Sequence, residues 1–89
     1  MIDFAEARRL ADVRLRPEWN PEDGVFYVAP WGWEDRYAYR VIILDGYTLR
    51  EPDTFGVVLV TKKNGNVRPR AVETAARLNN MTPVGEGRP

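Results

Sequence analysis

The chain contains no histidine, no cysteine and no serine. Without cysteine there is no disulfide to reinforce the fold and no thiolate to bind a metal. Without histidine and serine, the Ser-His-Asp and Cys-His arrangements of nucleophilic catalysis are excluded, and so is every metal site built on His or Cys. Carboxylates, lysines and tyrosines are what remains for chemistry. Long apolar runs are missing as well, and none approaches the roughly 20 residues that a membrane-spanning helix needs. Neither sign of charge is in excess: 13 basic residues balance 13 acidic ones. That balance argues against a dedicated nucleic-acid binder, which carries a basic surplus, and it leaves little repulsion between copies of the chain. The opening Met1-Ile2-Asp3-Phe4-Ala5-Glu6 is acidic and is followed by no long apolar stretch, which makes it a poor secretion signal. The expectation is a cytoplasmic protein that needs no cofactor, binds no metal and has no membrane partner.

What is there fits one small globular domain. The chain has 89 residues, 44% of them hydrophobic and 29% charged, ordinary proportions for a folded domain. A domain this short buries about 60–65% of the surface of its unfolded chain, so its core is thin. Charge is divided along the sequence. Residues 18–53 hold eight acids and three bases, net −5, whereas residues 54–89 hold two acids and six bases, net +4. Folding either brings the two signs together or leaves opposed patches that favour a charged partner or head-to-tail self-association.

Local patterns predict the order α-β-β-β-β-α. Asp3 caps a first helix, and Glu6 three residues on completes a capping box. Phe4, Ala7, Leu10, Ala11 and Leu15 recur at helical spacing, with Arg8, Arg9, Asp12 and Arg16 on the other side. Pro17 ends the helix. Residues 17–24 read as a loop, Val25–Ala29 as a first strand ended by Pro30, and Trp31–Arg36 as a connection. Tyr37–Leu44 is a second strand and 46–54 a polar loop. Phe55–Thr61 is a third strand, followed by an Asn64-Gly65 hairpin signal in which both residues accept positive φ. Val67–Pro69 is a short fourth strand at an edge. Ala71–Asn80 is a second helix. The predicted fold is α+β, an N-terminal helix on a four-stranded antiparallel sheet with a short C-terminal helix, in a single domain over 1–82 with a flexible tail over 83–89.

Three features are candidates for chemistry or contact. Adjacent Glu34 and Asp35 would suit acid–base work in a sheltered cleft, although a solvated turn is the simpler reading. Asp45, Glu51 and Asp53 offer oxygen ligands, but not at the spacing of a calcium loop. The basic residues Lys62, Lys63, Arg68 and Arg70 would meet phosphate, or merely guard an edge strand. The most informative segment is aromatic. Trp31, Trp33 and Tyr37, with Glu34, Asp35 and Arg36 between them, combine large rigid side chains with charge as binding hot spots do. These six residues are the candidate partner-binding set, and packing of the sheet is the competing explanation.

The opening Ile2-Asp3-Phe4-Ala5-Glu6-Ala7-Arg8-Arg9-Leu10-Ala11, the hairpin of Ala29-Pro30-Trp31-Gly32-Trp33-Glu34-Asp35 with Tyr37-Ala38-Tyr39-Arg40-Val41, and Val57-Val58-Leu59-Val60-Thr61-Lys62-Lys63-Asn64-Gly65-Asn66-Val67 together resemble the immunity protein 35, or YrhB-like, family over most of residues 2–82. Thr61 stands where that family has an acid and Asn64 where it has a threonine. The resemblance implies a bacterial immunity protein of the cytoplasm that neutralises a toxin by occluding it, with no catalytic residues. A basic toxin would suit the acidic half of the chain. The alternative is a small phage or secretion-system assembly protein that self-associates through its aromatic face, as a homodimer or larger; a minor carboxylate enzyme ranks last.

Overall fold

The computed structural model describes residues 1–87, so Arg88 and Pro89 of the predicted tail lie outside the described residues. The fold is α+β: a helix packs on one face of a five-stranded antiparallel sheet, and a short helix lies near the C-terminus. The elements in chain order are α1 (Phe4–Leu15), β1 (Phe26–Glu34), β2 (Ala38–Asp45), β3 (Val58–Thr61), β4 (Val67–Arg68), α2 (Ala75–Asn79) and β5 (Thr82–Gly85). The sheet order is β4-β3-β2-β1-β5.

Helix α1 forms where its stripe predicts. The Asp3 carboxylate accepts the Glu6 amide at 2.8 Å. The reciprocal half of the capping box is not made, because the Glu6 carboxylate accepts from the Arg9 guanidinium instead. Ala7, Ala11 and Leu15 are fully buried. Two alanines on the buried stripe let the helix lie close to the sheet, where interiors tolerate few voids. Against them pack Phe26 and Val28 of β1, Tyr39, Val41 and Ile43 of β2, Val58 and Val60 of β3, and Phe55. Pro17 does not open a plain loop: residues 16–18 and 21–23 each form a single 3-10 turn. Trp19 between them donates its indole N–H to the Gly24 carbonyl and sets its ring edge-on to Phe26 at 5.4 Å.

Strand β1 runs past Pro30 to Glu34, so Trp31–Arg36 is not the connection that the sequence predicts. Pairing with β2 is in step up to Val28↔Ile43 and resumes at Gly32↔Val41, two residues out of step. Pro30 falls within that offset, where its missing amide removes no rung of the ladder. Arg8 fixes the offset from the helix side, donating to the Val28 and Ala29 carbonyls at 2.9 and 2.8 Å. Beyond the offset β1 gains a second neighbour, β5, with Trp31↔Gly85 through Glu34↔Thr82 in register.

Strand β5 is the fifth member of a sheet expected to have four, and it places residues 83–85 in the fold rather than in a tail. Gly85 has φ +79, and a Cβ there would overlap the Pro30 carbonyl oxygen and crowd the Phe4 ring. Only glycine accepts both conditions. The loop from β3 to β4 takes five residues, 62–66, with positive φ at Gly65 but not at Asn64. The Gly65 amide bonds the Thr61 carbonyl and Thr61 pairs back to Asn66. Helix α2 is shorter than predicted, since Arg70 has φ +55 and Thr74 caps the helix at the Arg77 amide.

The face of the sheet away from α1 is closed in two parts. Leu78 and Met81 pack on Ala38 and Leu59. Tyr27, Trp31 and Trp33 pack around Ala29, Ile42 and Leu44.

Candidate functional site

The six candidate residues divide between the sheet face and the turn that joins β1 to β2. Trp31 and Trp33 share the face away from α1 by the two-residue period of the strand. Both are half-buried against Ala29, Ile42 and Leu44, and Trp33 also packs against the cluster of Ala38, Leu59 and Met81. Their main contact is therefore with the protein's own second core.

Glu34, Asp35, Arg36 and Tyr37 occupy the turn. Asp35 organises it: one carboxylate oxygen accepts the amides of Tyr37 and Ala38, both at 2.9 Å, and the Asp35 amide donates to the Ala38 carbonyl. The other oxygen accepts Arg77 Nε at 2.8 Å. Partial burial works against ionisation of Asp35, but the Arg77 guanidinium and the two amides outweigh it and hold the carboxyl below its ordinary range. Glu34 accepts Lys62 Nζ at 2.7 Å, and that ammonium lies 4.7 Å from the Tyr39 ring centroid. Each acid of the tempting pair is thus held by its own cation. The acidic first half and the basic second half of the chain meet here and neutralise each other.

Arg36 and Tyr37 are left outward. Tyr37 is 62% exposed, with the Arg36 guanidinium over its ring at 5.2 Å. Among the described residues Arg36 forms no ion pair. Beside them lies a hollow of about 510 Å³ lined by Glu34, Asp35, Arg36, Lys62, Asn80 and Thr82. Arg77, Asn80 and Thr82 are the site residues that local sequence reasoning does not reach, and Lys62 enters that reasoning only as part of a basic cluster, not as the partner of Glu34. The halved charge of the chain is the one signal that pointed to a meeting of acids with bases.

The basic cluster is partly dispersed by the same pairing. Lys62 is bound to Glu34, and Arg68 lies 3.1 Å from Glu73, which also meets Arg77 at 3.1 Å. Lys63 and Arg70 remain exposed. Asp45, Glu51 and Asp53 do not converge: among the described residues there is no group of three acidic side chains placed to hold a metal ion. No helix among the described residues is long and apolar enough to cross a membrane.

No protein-family model matches the chain, and no curated protein and no solved structure is significantly similar to it.

Proposed function

We propose that the chain is a non-catalytic protein-binding domain, a bacterial immunity-type inhibitor that acts in the cytoplasm by occluding a toxin. The observation that carries this reading is the Arg36–Tyr37 pair held outward on a turn whose backbone Asp35 has already fixed. Tyrosine and arginine are the residues that concentrate binding energy at protein interfaces. A turn ordered before contact loses little conformational freedom on binding. The inventory of side chains agrees with it, since a chain without imidazole, thiol or serine hydroxyl exerts its effect by shape and charge. The biological role is proposed from the resemblance of the sequence to the immunity protein 35 family alone.

Self-assembly through the aromatic face is the weaker reading, because Trp31 and Trp33 are already engaged with Ala29, Ile42 and Leu44. The test is capture from the native host with the intact chain as bait. The captured protein should arrest growth when produced alone and be silenced when the chain is produced with it. The Arg36→Ala/Tyr37→Ala double variant should lose both capture and protection. A stable higher oligomer of the chain that captures nothing would favour assembly instead.

A further inference from the structure

A second surface lies at the opposite end of the β1–β2 ladder. The ladder runs from Glu34↔Tyr39 at the turn to Phe26↔Asp45 at the far end, and at about 3.3 Å per residue the two ends are roughly 20–25 Å apart. At the far end the segment before β1 and the long loop after β2 are tied into one unit. Asp45 Oδ1 accepts the amides of both Val25 and Tyr47, the Gly46 amide donates to the Val25 carbonyl at 2.8 Å, and the Thr54 hydroxyl donates to Asp23 at 2.8 Å.

On this unit three apolar side chains stand in solvent: Val25 at 47%, Tyr47 at 85% and Leu49 at 45% exposure. Leu49 is held there by a backbone with φ +58, a conformation that leucine rarely adopts. The same two segments carry Glu22, Asp23, Glu51 and Asp53, none of which forms an ion pair among the described residues. Arg50 is the base within the loop, and Arg40 lines one hollow with Glu51 and Asp53. Elsewhere within residues 18–53, Glu18, Glu34 and Asp35 are each paired with an arginine or a lysine. The acids of residues 18–53 that form no ion pair among the described residues thus all lie in these two hydrogen-bonded segments.

We infer that Val25, Tyr47 and Leu49, together with the carboxylates of the same two segments, form a docking surface for a basic amphipathic segment of a partner protein. The apolar side chains give the contact its anchor, and the carboxylates select and steer a cationic partner over a neutral or acidic one. This surface is separate from the Arg36–Tyr37 turn. It deepens the reading of the chain as a protein binder and rests on that reading.

The test is titration of the ¹⁵N-labelled chain with an amphipathic lysine–leucine peptide and with its glutamate-for-lysine counterpart, followed by amide shifts. The lysine peptide should move the amides of residues 22–25 and 46–53, and binding should weaken as salt is raised. Tyr47→Ala/Leu49→Ala and Glu51→Lys/Asp53→Lys should each weaken it by about tenfold. Arg36→Ala/Tyr37→Ala should bind the peptide as the parent does, so that failure here is told apart from failure of the turn site. Absence of binding, shifts centred elsewhere, equal response to the acidic peptide, or losses confined to the charge variants would each overturn the proposal. Amide dispersion of every variant reports whether it has folded.

Discussion

Arg77 reaches back across 42 positions of sequence to place its Nε 2.8 Å from the Asp35 carboxylate. One contact thereby ties α2 to the β1–β2 turn and removes a negative charge from the surface that the sequence marks as acidic. Asp35→Ala loses this pair together with the two amide bonds that shape the turn. It should destabilise the fold by about 2–3 kcal/mol, and Arg77→Ala by about 1 kcal/mol. A double-mutant cycle from urea unfolding should return a coupling of about 0.5–1.5 kcal/mol. Additive effects would mean that the pair contributes nothing beyond its separate parts.

Gly85→Ala tests the role of β5. A Cβ at φ +79 meets the Pro30 carbonyl oxygen and the Phe4 ring, so the strand must shift away from β1. The expected loss is about 2 kcal/mol, read by thermal unfolding. Hydrogen exchange should quicken along the β1–β5 pair while the β2–β3 pair stays protected.

How much of this was legible in the sequence depends on where the partner groups lie. Helix α1 was, because its cap and its stripe are local. Strands β2 and β3 were, because Val41–Leu44 and Val57–Val60 are continuously apolar. The second half of β1 was not: Pro30 and Gly32 look like strand breakers until Arg8 and β5, both remote in sequence, supply the hydrogen bonds that local pairing lacks. Strand β5 was hidden for the same reason, since Thr82-Pro83-Val84-Gly85 has little strand character of its own. At the turn, Glu34 and Asp35 were visible as turn residues. Their cations were not, being 28 and 42 positions away. The surface of Val25, Tyr47 and Leu49 escaped notice because it is assembled from two segments, one of which reads as the start of a strand and the other as an ordinary polar loop.

Acid should loosen the far end of the molecule. The amides of Val25 and Tyr47 and the Thr48 hydroxyl lower the Asp45 carboxyl from its ordinary 3.8 to about 2. A carboxyl whose pKa is lower in the folded state contributes stability in full above the unfolded value and loses it as pH falls through the folded one. Order in the 46–54 loop should therefore decline between pH 3.8 and about 2, followed by the amide shifts of Val25 and Tyr47. Asp45→Asn should weaken the loop at neutral pH and abolish this dependence.

Leu49 offers a trade between stability and binding. Its φ of +58 costs a non-glycine residue about 1 kcal/mol. Leu49→Gly removes that strain along with an exposed apolar side chain. Urea unfolding should show a variant at least as stable as the parent, while the lysine–leucine peptide binds about tenfold more weakly. A variant with unaltered affinity would leave Leu49 without a part in contact.

The central claim, that the chain acts by binding a protein, is tested most directly by titration calorimetry with the captured growth-arresting protein and an assay of that protein's activity in the same samples. The account predicts saturable binding at one partner per chain, inhibition that tracks occupancy, and loss of both in Arg36→Ala/Tyr37→Ala. Inhibition at catalytic amounts of the chain, abolished by replacing a single carboxylate or lysine, would contradict it.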